Sequence, residues 1–203
     1  MLMFKFEFQD HYFKKAKKEW YLARSAFKLE EIQNKFHLFD KTTKTILDIG
    51  CAPGSWIQFA VGQMKKNNIS EYKILGVDIQ DVSINLPGVK VYKADISDEE
   101  HIKEILTENN IEKVDIIQSD MAPNTIGVWD VDAMRLFELL EYVKPIIKNL
   151  LKPNGKFVVK VFMGPGFEEF VKEMKTIYGG KHIKTLKPKA CRKESKEIYV
   201  IKF

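Results

Sequence analysis

Short apolar runs of strand length recur along this chain of 203 residues, with stretches of helical spacing between them, and that alternation narrows the fold more than any other feature. TILDIG (45–50), KILGVDI (73–79), VKVYKA (89–94), KVDIIQSD (113–120), GKFVVKVF (155–162), HIKTLK (182–187) and EIYVIKF (197–203) read as strands. Helical spacing covers 11–19, 25–36, 55–66, 98–108, 131–151 and 167–178, with Ser55 as an early polar cap and Pro145 as a point where a long helix would bend. Strands joined through helices form βαβ units, hence an α/β fold with a mostly parallel sheet covered on both faces. The last two strands have no helix between them and should pair as an antiparallel hairpin. At this length one domain is expected, 1–203, in which 1–40 supplies basic N-terminal helices and 44–203 the core.

In open sheets of this kind ligands lie beyond the carboxyl ends of the parallel strands, so the residues there are the ones to read. They are 48–54 after the first strand, Asp78 after the second, Asp95 past the third, Asp120 after the fourth and Lys160 near the end of the fifth. DIGCAPGSW (48–56) does not make the dinucleotide fingerprint G-x-G-x-x-G. Cys51, Ala52 and Pro53 separate Gly50 from Gly54, and the proline removes an amide donor that a pyrophosphate would use. Asp78 is placed to accept hydrogen bonds from ribose hydroxyls, and Asp95 from the exocyclic amine of an adenine. A nucleoside site without a diphosphate cradle points to S-adenosylmethionine, with Gly50, Ala52, Pro53, Gly54, Trp56, Asp78 and Asp95 around it. Either acid alone reads equally well as a strand-end turn residue, and Trp56 as core packing at a helix start; their conjunction with the glycine loop favours the cofactor.

Two distant cysteines, Cys51 and Cys191, without C-x-x-C, argue against a disulfide framework or a zinc site and suit a reducing compartment. The four histidines (His11, His37, His101, His182) have no metal-ligand spacing, so no metal is expected. No apolar stretch is long enough to span a bilayer, and MLMFKFEFQDHYFKK at the N-terminus lacks the pattern of a secretory signal. A cytoplasmic protein is expected, with an organelle-targeted form whose leader has been trimmed as the alternative. The net charge of +5 is modest but unevenly placed. Lys14, Lys15, Lys17, Lys18, Arg24 and Lys28 face only Glu19 across 12–28, and Lys184, Lys187, Lys189, Arg192, Lys193 and Lys196 crowd 184–196. Two basic ends around a near-neutral middle fit a phosphate-rich partner; the plain alternative is two solvated faces.

RSAFKL (24–29), DIGCAPGSW (48–56), SDMAPN (119–124), VVKVF (158–162) and SKEIYVI (195–201), in that order over about 12–201, resemble the FtsJ/RrmJ family of RNA ribose 2′-O-methyltransferases. The resemblance implies the Rossmann-like methyltransferase fold, a mostly parallel seven-stranded sheet with a C-terminal antiparallel hairpin. It also implies a Lys-Asp-Lys-Glu tetrad on Lys28, Asp120, Lys160 and Glu197. The loop reads APGSW where the nearest bacterial relatives carry a second glycine, a departure that eukaryotic relatives share. A ribose 2′-hydroxyl must lose its proton to attack a methyl group in line. A lysine, with an ordinary pKa of about 10.4, serves as the base only where burial or a second cation lowers that value. Lys160 is assigned as that base and Lys28 as the second cation positioning the ribose. Asp120 and Glu197 orient the lysines, and Asp120 also lies near the sulfonium of the cofactor. A buried salt-bridge cluster is the plain alternative. SDMAP is not the Asn/Asp-Pro-Pro-aromatic motif of N-methylation, and neither cysteine has the Pro-Cys setting of cytosine-C5 methylation, so an oxygen acceptor is favoured.

Basic residues interleave with Tyr12, Phe13, Trp20 and Tyr21, a pattern that neutralises phosphates and stacks on unpaired bases. Arg24, Lys187, Lys189 and Arg192 are the expected RNA-binding residues. By resemblance, SDMAPN is nearer to relatives that modify a uridine of large-subunit ribosomal RNA than to the sister group acting on tRNA anticodon loops. The expectation is a monomeric, S-adenosylmethionine-dependent enzyme acting on large-subunit ribosomal RNA, free or in the subunit, with no membrane partner. The alternatives are a tRNA anticodon-loop ribose methyltransferase and a non-catalytic RNA-binding ribosome assembly factor, which an intact tetrad disfavours.

Overall fold

A computed structural model describes residues 11–203; the first ten residues of the basic N-terminal segment, and with them most of the stretch read for a secretory signal, lie outside the described residues. The chain runs α1 (His11–Lys18), α2 (Ala26–Phe36), β1 (Thr45–Ile49), α3 (Ser55–Lys66), β2 (Lys73–Asp78), β3 (Val89–Lys93), α4 (Glu99–Glu108), β4 (Val114–Ser119), α5 (Trp129–Leu150), β5 (Leu151–Phe162), α6 (Phe167–Tyr178), β6 (Ile183–Leu186) and β7 (Glu197–Lys202). The strands form one sheet in the order β3-β2-β1-β4-β5-β7-β6. β1 to β5 pair in parallel, and β7 runs antiparallel to both β5 and β6. The expected hairpin is present, and its second strand, not its first, joins the parallel set. Among the described residues no helix is long and apolar enough to cross a membrane.

Three local expectations change. Gly54, at φ 108°, takes the N-cap of α3, and the Ser55 hydroxyl pairs instead with that of Ser25 at 2.8 Å. α5 continues through Pro145, because Val143 and Ile147, buried on either side of it, hold the helix to the sheet across the missing N–H. β5 begins at Leu151 rather than Gly155; its register with β4 shifts between Val114 and Ile116, where Pro153 and Asn154 are exposed.

The period of two along each strand divides the core. Leu47, Ile49, Leu75, Val77, Phe157, Val159 and Val161 pack with α4, α5 and α6. Ile46, Ile74, Ile116, Val158 and Ile201 pack with α2 and α3. Carried on toward the carboxyl rim, the second alternation reaches Asp48, Gln118, Lys160, Tyr199 and Glu197. Each fully buried aliphatic side chain contributes about 1.5–3 kcal/mol, whereas buried polar groups cost free energy unless they are paired. A polar row on this face of the sheet therefore has to be satisfied from within.

Candidate active site

The glycine loop is fixed by backbone hydrogen bonds to β2. Gly50 and Cys51 donate their N–H groups to the Val77 carbonyl at 2.8 and 3.2 Å. Gly50 has φ 72°, and a Cβ there would stand 2.3 Å from the Cβ of Met121, so only glycine lets this loop meet the exit of β4. Beyond it the Ala52–Pro53 peptide is cis. Asp78 accepts the Ala52 N–H on Oδ2 and the Gln80 N–H on Oδ1, both at 2.8 Å. Its carboxylate thus shapes the loop, and each oxygen keeps a second lone pair for a further donor. Asp95 is exposed; its Oδ1 accepts the Ser97 N–H and hydroxyl, and its Oδ2 has no hydrogen-bond partner among the described residues.

Trp56, expected beside the cofactor, is packed between α2 and the sheet. It is buried, its indole N–H donates to the Ser25 carbonyl at 2.9 Å, and its ring lies against Tyr199 with centroids 5.8 Å apart. Gln58 adds two more links, accepting the Leu22 N–H and donating to the Trp20 carbonyl. These bonds fasten the segment leading into α2 onto the first turns of α3, so the helix carrying Lys28 is located by the glycine loop's own helix.

The four tetrad positions converge as expected. Lys28 comes from α2, Asp120 from the exit of β4, Lys160 from β5 and Glu197 from the start of β7. The Lys28 ammonium donates to Glu197 Oε2 at 2.9 Å and stands 3.8 Å from Asp120 Oδ2. Lys160 Nζ is 3.2 Å from Asp120 Oδ1 and donates to the Asp120 carbonyl at 2.5 Å. Burial works against charge on Lys28, but Asp120 and Glu197 outweigh it and hold its pKa above the ordinary lysine value. Burial likewise pushes Asp120 upward; Lys160 and Lys28 overcome it and hold that carboxyl below the usual range. Lys28 is therefore an ammonium and Asp120 a carboxylate at neutral pH. A buried ion network gains little net stability, since desolvation offsets the attraction, so its place at the ligand rim of the sheet calls for a chemical reason.

Sequence reasoning gave no role to four residues here. The Tyr199 hydroxyl donates to Asp120 Oδ1 at 2.6 Å; its position two residues after Glu197 in a strand, hence on the same face, was the available signal. The Cys191 thiol is pushed up to about 12 by burial and by Glu197 beside it. Asp48 is wholly buried, and burial raises its pKa to about 7; the Gln118 amide, donating at 2.8 Å, opposes the rise, while Asp120 and Asp78 add to it. Gln118 Oε1 has no hydrogen-bond partner among the described residues.

The expected RNA contacts separate into two kinds. The Arg24 guanidinium donates to the Ala190 carbonyl and lies over the Tyr12 ring at 5.6 Å. The Lys187 ammonium donates to the carbonyls of Ser195 at 2.5 Å and Lys193 at 3.3 Å, closing the loop before β7. Both side chains thus have structural partners. Lys189 and Arg192 are exposed, while the backbone N–H groups of Lys189 and Ala190 bind the Glu31 carboxylate. A groove of about 1100 Å³ lies between α1, α2 and the end of β6, lined by Lys14, Lys15, Lys18, Lys35, Lys187 and Lys189 but also by Glu19, Glu30 and Glu31.

The FtsJ-like methyltransferase family matches residues 21–203. The ribosomal RNA large subunit methyltransferase E of Methanothrix thermoacetophila is 40% identical over 193 residues, which cover 95% of this chain and 71% of the relative. The protein of the same name from Syntrophobacter fumaroxidans is 40% identical over 194 residues, covering 95% and 94%. A Plasmodium falciparum protein assigned as a ribosomal RNA methyltransferase superposes with a TM-score of 0.75 at 29% identity, over 90% of this chain and 97% of its own. A Methanococcus jannaschii fibrillarin, a pre-rRNA processing protein, shares the fold alone, with a TM-score of 0.50 at 14% identity over 82% and 68%. Matched from residue 21 to its last, the chain belongs to the FtsJ-like methyltransferase family.

Proposed function

We propose that the chain transfers a methyl group from S-adenosylmethionine to the ribose 2′-hydroxyl of a uridine in large-subunit ribosomal RNA. The convergence of Lys28, Asp120, Lys160 and Glu197 beside the glycine loop carries this reading. The names of the bacterial and archaeal relatives support the choice of RNA. The residues around the loop fit a nucleoside cofactor: Asp78 and Asp95 retain acceptor capacity for ribose hydroxyls and an adenine amine, and the Gly50 and Gly54 backbone bears no side chains to stand in the way.

Bound there, S-adenosylmethionine supplies an electrophilic methyl group. The remaining chemistry belongs to the chain. Lys160, held by Asp120 through both carboxylate and carbonyl, accepts the proton of the 2′-hydroxyl. Lys28, kept charged by Asp120 and Glu197, favours negative charge developing on the ribose oxygen. Asp120 orients both lysines, and Glu197 and Tyr199 hold Lys28 and Asp120 in place.

The test is radiolabelled methyl transfer to undermethylated large subunits, free ribosomal RNA and tRNA, with wild type beside Lys160→Ala and the product digested to locate the label. Label is expected on a ribose 2′-oxygen of ribosomal RNA, with the variant slower by about 10²–10⁴-fold and binding the cofactor as wild type does. Label on tRNA would keep the mechanism and replace the substrate. No labelled RNA despite cofactor binding would sink the enzyme reading in favour of an assembly factor.

A further inference from the structure

Outside the ion network, the carboxyl rim carries an exposed apolar patch. Ile126, Val128, Trp129 and Met134, from the β4–α5 connection and the first turns of α5, lie open to solvent, as does Met163 just past β5. Trp129, 44% exposed, is its largest member. Exposed patches of this kind mark interaction sites, and this one is built rigidly. Asp132, itself buried, accepts the Ile126 N–H at 2.8 Å and the Gly127 N–H at 3.0 Å, and Arg135 donates to the Asn124 carbonyl at 3.1 Å. The connection is thus tied to α5 by side chains from α5 itself.

The patch is also continuous with the tetrad. The Met163 N–H donates to the Lys196 carbonyl at 2.9 Å, and Gly164 lies so close to α5 that a Cβ on it would stand 3.0 Å from that of Ala133. The Lys196 ammonium lies 5.6 Å from the centre of the Trp129 ring, and Lys196 is bonded directly to Glu197. One lysine side chain therefore bridges the distance from the tetrad strand to the indole.

We propose that Trp129 is a stacking platform for an unpaired nucleobase of the RNA beside the reacting ribose, with Lys196 engaging the adjoining phosphate; this rests on the RNA methyltransferase reading above. An exposed indole with an ammonium over one face, its other face left for a base, matches a nucleotide, which presents a planar base and an anionic phosphate a few bonds apart. A purely apolar protein partner would leave that ammonium without a counter-charge. The basic run from Lys187 to Lys196 extends the same positive character away from the patch, as a strand of RNA requires.

The experiment compares filter binding of a uridine pentaribonucleotide and an abasic pentamer of equal charge to wild type, Trp129→Ala, Trp129→Phe and Lys196→Ala at low salt. Wild type should hold the base-bearing strand about tenfold more tightly. Trp129→Ala should bring the two strands to within about twofold, and Trp129→Phe should keep most of the preference. Lys196→Ala should weaken both strands alike. Unaltered thermal melting and cofactor binding would show that Trp129→Ala is folded. No preference in wild type, or a preference that survives Trp129→Ala, overturns the proposal. Methyl transfer measured on the same proteins separates the two readings. A Trp129-dependent preference without transfer to any RNA would remove the enzyme function and leave the platform standing. Transfer with a KM for RNA unchanged in Trp129→Ala, and the preference intact, would remove the platform alone.

Discussion

Asp48 is a carboxylate that the fold buries completely, in cross-strand register with Gly76 on one side and Gln118 on the other. Burial raises its pKa to about 7, against about 3.9 in an unfolded chain. Because the folded value is the higher one, the folded state binds the extra proton in the window between. Its contribution is fully present below about pH 4 and is lost as pH rises through about 7. Asp48→Asn cannot ionise, and its amide oxygen still accepts from Gln118. Its stability relative to wild type should therefore rise between pH 4 and pH 8, by at most about 4 kcal/mol. Calorimetric unfolding of both proteins at the two pH values checks this; parallel behaviour would mean that Asp48 ionises alike in the folded and unfolded chains. The tetrad was legible at this scale because each member sits in a short motif. Asp48 and Gln118 were not, since their partnership joins residues 70 positions apart.

At the scale of elements, the β1–α3 connection locates everything else at the rim. Gly50 accepts the exit of β4 where a side chain would overlap Met121, and Asp78 at the end of β2 ties down Ala52. Gly50→Ala forces a left-handed backbone and a steric overlap on one position. We expect a loss of about 2–3 kcal/mol in urea unfolding, together with at least tenfold weaker S-adenosylmethionine binding by titration calorimetry. Wild-type stability and affinity in this variant would mean that the two loops have slack and that the close approach is incidental. Helices and strands were legible here from periodicity alone, down to the antiparallel pair at the C-terminus. The passage of α5 through Pro145 was not, because packing of Val143 and Ile147 overrides a local preference.

For the whole molecule, charge distribution outweighs net charge. The groove beside α1 and α2 mixes six lysines with three glutamates, and of the four expected RNA contacts only Lys189 and Arg192 are exposed without a structural duty for their side chains. If those two meet phosphates of a single strand, the double variant Lys189→Ala/Arg192→Ala should flatten the plot of log affinity against log salt by about 1.4. Filter binding of ribosomal RNA fragments from about 50 to 200 mM salt measures the slope; an unchanged slope would place the RNA path elsewhere. Lys187→Ala should instead lower thermal stability, since its ammonium closes the loop before β7.

The sequence by itself determined the α/β class and the family, and it singled out Lys28, Asp120, Lys160 and Glu197 as candidates near the carboxyl rim of the sheet. Each of these rests on local information: the period of apolar residues, the chemistry of strand ends, and motifs a few residues long. Only the tertiary structure decided that β7 slots between β5 and β6, that Trp56 bonds Ser25 and packs on Tyr199, that Tyr199 braces Asp120, and that Trp129 and Lys196 stand together beside the tetrad. Lys28 and Glu197 are 169 positions apart yet share a hydrogen bond. Pairings of that kind follow from how the faces of the sheet are covered, a long-range outcome of burial that no stretch of local sequence contains.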